Sequence, residues 1–220
     1  MKQSKKAKYS FYLVGILILT LGVSFTIQSN LGTSPFDSLL VGLSRNVGLT
    51  VGSWEILLSL IVLIINSLLR RQKPEVLGLL TALITGIGID MWLYLLHNLI
   101  TPHLWFSKLI CIILGLFVTG LGTAFYLQTH FALTPIDRFT FIIQELMRTN
   151  LFISKTLIYL LFLILAIIFN GPIGIGTLLT ICLGGLLLNF FMPFTERLGD
   201  FLFVNSSKTA KYEADKNHSI

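Results

Sequence analysis

Apolar and polar positions in this chain are arranged in long blocks. Six predominantly apolar runs fall at about 10–28, 51–69, 75–99, 107–128, 152–170 and 174–194, each near the ~20 residues that carry a helix across the hydrocarbon core of a bilayer. Two shorter and less apolar segments, 31–49 and 131–150, each begin just before a proline. In the first, Phe36, Leu39, Leu40, Leu43 and Val47 fall on one side of a helix, with Asp37, Ser38, Ser44 and Arg45 largely away from it. These segments are expected to be re-entrant or interfacial helices. Had both crossed, there would be eight spans, and Arg70, Arg71 and Lys73 would lie outside, against the positive-inside bias. The residues after Val204 are polar and mixed in charge, and they read as a mobile tail.

Composition agrees with the blocks. Hydrophobic residues make up 54% of the chain and charged residues 12%, which excludes an ordinary soluble domain. The net charge of +6 does not require nucleic acid as a partner, because its placement has another cause. With the N-terminus inside, six crossings put Lys2, Lys5, Lys6, Lys8, Arg70, Arg71, Lys73, Arg138, Arg148, Lys155, Arg197, Lys208, Lys211 and Lys216 on the cytoplasmic side, and leave Arg45 and Lys108 outside. Both termini are therefore expected in the cytoplasm. The run after the N-terminal lysines is too long for a signal-peptide core and lacks a small-residue cleavage site, so it is read as the first span.

Adding one hundred to the residue number exposes an internal repeat. Gly15, Leu21, Gly22, Phe25, Gln28, Pro35 and Asp37 match Gly115, Leu121, Gly122, Phe125, Gln128, Pro135 and Asp137, and Ser34 faces Thr134. Beyond about residue 50 the register slips, with Gly78 and Gly86 answering to Gly176 and Gly184. The chain thus divides into 1–100, 101–204 and a cytoplasmic tail, 205–220. Each repeat holds three spans, and three is odd, so the second copy starts on the opposite face of the membrane. The predicted fold is an all-α polytopic membrane protein of six helices in two inverted repeats, an arrangement that many secondary transporters share.

In Ser34-Pro35-Phe36-Asp37 and Thr134-Pro135-Ile136-Asp137, the hydroxyl residue suits an N-cap, proline the first helical position, and aspartate the position from which a carboxylate reaches back to the N-cap N–H. A capping box accounts for both aspartates as helix starts. At membrane depth the same groups are candidates to bind a cation or relay a proton. Asp90, far along the third span, is a further candidate for a solute or proton site; its alternative is a carboxylate bonded to Asn or Thr of a neighbouring helix. Gln28 and Gln128, beside the motifs, are candidates to bond either a ligand or the loop backbone. Glu55 and Lys155 begin the second and fifth spans, where Glu55 suits the headgroup region and Lys155 a snorkelling position.

Gly15, Gly22, Gly115 and Gly122 recur at two-turn spacing and predict close helix contact, either between the first and fourth spans or between copies in a homo-oligomer. Gly171 to Gly176 is read as a tight extracellular turn. Cys111 and Cys182 lie in apolar runs and read as packing residues. His97, His103, His130 and His218 are scattered, and no metal set, cofactor motif or catalytic triad is apparent. The chain is therefore read as non-enzymatic.

Leu31-Gly32-Thr33-Ser34-Pro35-Phe36-Asp37, Gly48-Leu49-Thr50-Val51-Gly52-Ser53-Trp54 and Gly86-Ile87-Gly88-Ile89-Asp90 together resemble the YczE/YyaS/YitT group of bacterial integral membrane proteins. In the second half the resemblance rests mainly on Thr134-Pro135-Ile136-Asp137, since Phe131-Ala132-Leu133 replaces Leu-Gly-Thr. The resemblance implies a multi-pass protein of the bacterial cytoplasmic membrane and brings no catalytic residues. The expectation is a protein of the lipid bilayer that binds or moves a small solute or ion, and the runner-up is an accessory protein that stabilises a partner system. A polar cavity between the repeats favours the first, a dry centre the second. A periplasmic-active reporter fused after Thr101 is expected to be active; a cytoplasmic signal there would refute the orientation.

Overall fold

The computed structural model describes residues 2–217 except 98, 100, 101, 103 and 130. Thr101, His103, His130 and His218 lie outside the described residues. Those described form eight helices and no strand: α1 (Lys2–Gln28), α2 (Pro35–Val47), α3 (Val51–Arg70), α4 (Val76–His97), α5 (Trp105–Gln128), α6 (Pro135–Met147), α7 (Leu151–Ile168) and α8 (Ile175–Asn217).

Stretches of α1, α3, α4, α5 and α8 are long and apolar enough to cross a membrane. The run at 152–170 instead forms the shorter α7, whose 18 residues span about 27 Å at 1.5 Å per residue, just below the ~30 Å of hydrocarbon. It ends early because Asn170 turns into the left-handed region at φ 50°. The tail differs from expectation too. Helix α8 continues through Pro193 to Asn217, over a stretch rich in the helix formers Ala210, Lys211, Glu213, Ala214 and Lys216. Outward-facing Leu57, Ile61, Ile64, Leu80, Ile87, Ile113, Leu160 and Ile164 are all exposed, a surface far too apolar for water and suited to lipid.

The short helices start as their sequences dictate. Ser34 and Thr134 each accept a bond from the N–H three residues on, Asp37 or Asp137, at 3.1 Å, and a proline follows each cap. In one respect the expected capping box is altered. The carboxylate takes the cap hydroxyl itself, from Ser34 at 2.5 Å and from Thr134 at 2.8 Å, instead of the cap N–H. Phe36, Leu39, Leu40 and Leu43 are buried as their spacing predicts, while Val47 is exposed at the helix end. They pack with Val62, Ile158, Phe162 and Ala166 into one core that joins α2, α3 and α7.

At the centre, α1 and α5 cross antiparallel through their glycines. An added Cβ at Gly22 would lie 2.3 Å from Thr119 N, at Gly122 2.2 Å from Leu19 N, and at Gly15 2.6 Å from Tyr126 N, while one at Gly115 would lie 2.9 Å from Thr26 N. Under the hundred-residue offset these contacts map onto one another: Gly22 with Thr119 answers to Gly122 with Leu19, and Gly15 with Tyr126 answers to Gly115 with Thr26. The glycine faces therefore meet within one chain.

Each short helix also docks on a connection of the other half. Ser38 Oγ of α2 donates to Pro172 O at 2.9 Å, and Asn46 Nδ2 donates to Phe169 O at 2.5 Å, with Gly171 so close that a Cβ would lie 2.2 Å from Ser38 O. Gly171 to Gly176 is thus a docked turn. Opposite it, Asn66 Nδ2 donates to Pro135 O at 2.8 Å, and Arg138 and Arg70 pair with Glu75 and Glu145, tying α6 to the α3–α4 connection. The correspondence between the halves is weakest at the last helix. Whereas α3 packs along α4, α8 leans on α1 and α5 and hardly touches α7.

Gly22→Ala and Gly122→Ala should each force α1 and α5 apart at a cost of about 1–3 kcal/mol. Gly185→Ala, with nothing within 4 Å of its added Cβ, should be neutral or stabilising by up to about 1 kcal/mol. Thermal unfolding of the three variants in detergent checks this, and equal midpoints would contradict the crossing.

Candidate functional site

A cavity of about 210 Å³ lies where the two halves meet, bounded by residues of all eight helices. Both short helices open onto it. Ser34 and Asp37 enter from the start of α2, Thr134 and Asp137 from the start of α6, so the two motifs share one site. Proline at the first helical position and a hydroxyl cap place the third helical residue in the same orientation twice. The caps consume one N–H at each start. At each start the cap hydroxyl and the aspartate carboxylate face the cavity.

Asp137 and Asp37 are held by different hydroxyl partners. Asp137 Oδ2 accepts from the Tyr126 hydroxyl as well as from Thr134, and Tyr126 is only 2% exposed, at the α1–α5 crossing. The position matching Tyr126 in the first half is Thr26, whose hydroxyl meets that of Thr33 at 2.7 Å. Asp37 Oδ2 receives the Ser34 hydroxyl, and the Thr33 hydroxyl acts on the same carboxylate.

Glu55 and Lys155, also one hundred residues apart, line the same cavity. Glu55 is 3% exposed, and its Oε1 accepts a long bond of 3.4 Å from Ser59 Oγ. Glu55, which was expected to suit the headgroup region, faces the protein interior, enclosed in the cavity wall. Lys155 Nζ sits over the Tyr159 ring, 5.5 Å from its centroid, and the ring also lines the cavity. This lysine turns inward, where snorkelling would turn it out. Among the described residues the ion pairs are Arg70–Glu145 and Arg138–Glu75, so no cavity carboxylate is paired with a lysine or arginine.

The structure separates three other candidates from this site. Asp90 lies at the start of α3, where Oδ1 accepts from the Gly52 N–H at 2.8 Å and Oδ2 from the Thr50 hydroxyl at 2.5 Å. It supplements the Thr50 cap, the structural alternative considered for it. Gln28 and Gln128 are half-buried and do not line the cavity. Pro35 and Pro135 are buried; Pro135 also offers its carbonyl to Asn66. Among the described residues no group of His, Cys, Asp or Glu is arranged to hold a metal ion. Tyr126, Tyr159, Glu55 and Lys155 were not singled out as site residues by sequence, although the hundred-residue offset pairs the last two directly.

An all-helical bundle with an apolar outer surface and a central cavity lined by acids defines a multi-pass membrane protein. Residues 6–193 match the model of a family of unknown function, DUF6198, and the chain belongs to that family. It is 64% identical to the uncharacterized protein YyaS of Bacillus subtilis over 190 residues, 86% of this chain and 94% of that one. It is 32% identical over 212 residues to the uncharacterized membrane protein YczE of the same organism, covering 96% and 97% of the two chains. An uncharacterized protein of Haemophilus influenzae is 26% identical over 190 residues, 86% of this chain and 85% of that one. No solved structure matches.

Asp90→Ala leaves the start of α3 without two accepted bonds and should cost about 1–3 kcal/mol. Asp37→Asn keeps an acceptor for Ser34 and should cost less than about 1 kcal/mol. If unfolding in detergent shows Asp90→Ala to be the milder change, Asp90 is not a helix cap.

Proposed function

We infer that this protein binds and moves a small solute or ion across the bacterial cytoplasmic membrane, through the cavity between two inverted repeats. The observation that carries the reading is the convergence of Asp37 and Asp137, from the two copies of one motif, on a single cavity. An accessory protein calls for a dry centre, and this centre is lined by carboxylates, hydroxyls and a lysine. The reading assigns no catalytic step.

Inversion is supported by the reciprocal contacts of α1 and α5. Two copies of one sequence that touch antiparallel, with residue i meeting j and j meeting i, are related by a two-fold axis, and an axis in the membrane plane makes the copies inverted. On this reading α7 completes six crossings, tilted little and with its ends near the interfaces. Lys8 begins the spanning part of α1, and Tyr9 at that end packs on Phe131. Arg70 and Arg138 are joined by ion pairs across the α3–α4 connection and α6. Those basic residues gather at one end of the bundle, which is assigned to the cytoplasm, with both termini.

Movement requires the cavity to open alternately to each face, and the two short helices are the symmetry-related gates. Asp37 and Asp137 carry the charge that couples opening to an ion. In sealed vesicles with an imposed proton or sodium gradient, the wild type should accumulate a solute from a broad panel. The double variant Asp37→Asn, Asp137→Asn should keep its fold and lose gradient-driven uptake at least tenfold. Undiminished coupled uptake in that variant would remove the aspartates from the mechanism, and absence of any flux in the wild type would favour the accessory role.

A further inference from the structure

We propose that the solute is a small organic cation of the alkylammonium class, and that Lys155 is its built-in stand-in, occupying the cation's place on Tyr159 while the cavity is empty. The proposal rests on the solute-binding reading of the cavity and adds the chemistry of what is bound.

The first argument is charge. Asp37, Glu55 and Asp137 face the cavity against one cation, Lys155, and none of the three carboxylates forms an ion pair with it. A carboxylate as enclosed as Glu55 is costly to keep ionised without a positive partner. One long bond from Ser59 does not supply that partner. A cation arriving from outside would supply that partner, in place of the proton that otherwise neutralises an enclosed carboxylate.

The second argument is the kind of cation. A bare metal ion needs several oxygens converging on one point at about 2–2.6 Å, and the described acids do not converge in that way. They are distributed around a space whose remaining walls include Phe36, Ile89, Leu116 and Ile158. A cation that carries its own apolar groups satisfies both kinds of wall at once. An inorganic ion would leave the apolar walls unused.

The third argument is independent of the acids. The Lys155 side chain is itself a primary alkylammonium, and it lies inside this cavity on the face of an aromatic ring. Ammonium groups are attracted to such a face, and quaternary ammonium ligands are recognised by it. The cavity thus already displays the interaction proposed for its ligand. An incoming ammonium competes with Lys155 for Tyr159 and for the field of the acids. Removing the stand-in should strengthen cation binding, a prediction opposite to that for an anion or a zwitterion, whose carboxylate needs Lys155.

The test uses the full-length protein in detergent at constant ionic strength. Isothermal titration calorimetry compares n-butylammonium and tetramethylammonium with butyrate, n-butanol and glycine betaine. Wild type, Lys155→Met and Glu55→Gln are titrated, each first shown to unfold cooperatively near the wild-type midpoint. At least one ammonium probe should bind the wild type, and Lys155→Met should bind it about two- to thirtyfold more tightly, the size of one competing cation–π contact. Glu55→Gln should weaken it at least tenfold. If Glu55→Gln fails to fold, the Lys155→Met comparison alone decides. Binding of butyrate or betaine that Lys155→Met abolishes, ammonium binding that Lys155→Met leaves unchanged, or no binding of any ammonium probe each overturns the proposal. Ammonium binding without flux in vesicles would retain the assigned ligand and overturn transport, so the two failures are distinguishable.

Discussion

The antiparallel crossing of α1 and α5 is the contact on which the rest of this molecule depends. In lipid there is little hydrophobic gain from bringing two helices together, so association rests on close packing and on polar contacts. Glycines at positions 15, 22, 115 and 122 let the two backbones approach until no Cβ fits between them. Tyr126 leaves that contact to hold Asp137, and Thr26 leaves it to meet Thr33 beside the other motif. The crossing therefore sets the separation of the helix pair and, through these two side chains, the depth of both motifs.

The hundred-residue correspondence explains the site only because it is incomplete. A perfect two-fold would place identical groups at 37 and 137, at 55 and 155, and at 26 and 126. The first pair is identical, but the other two hold Glu against Lys and Thr against Tyr. These exchanges give the cavity unlike walls and give Asp37 and Asp137 different hydroxyl partners. The second departure is larger in scale. Because α8 leans on α1 and α5 instead of α7, the cavity is bordered by Gly184 on one side and Tyr159 on the other, across a gap that α3 and α4 close in the first half.

Sequence periodicity located the helices because crossing a bilayer demands a length that composition reveals. The glycine contact was legible for a similar reason: small residues at two-turn spacing have few uses in a lipid-facing helix. Depth was less legible. Hydropathy counts residues from the end of a run, so it put Glu55 near the headgroups and Asp90 deep in a span. Tertiary packing decides their surroundings instead, since Glu55 is enclosed within the protein while Asp90 reaches across to cap the start of α3. Whether an aromatic residue lines a cavity or fills a core depends on the gap beside α8, which no local pattern encodes. Tyr126 and Tyr159 were invisible on that account.

The exchange of docking sites between halves has a consequence for how the chain comes to be assembled. The hydroxyl of Ser38 finds its carbonyl partner, Pro172, 134 residues further on, an interval that a ribosome covers in roughly 7–27 s at 5–20 residues per second. Throughout that delay α2 lacks its seat, and Ser38 and Asn46 have the carbonyls of Thr33 and Gly42 in their own half as partners. The second half therefore completes the packing of the first late in synthesis, exchanging local bonds of α2 for shared ones with Phe169 and Pro172.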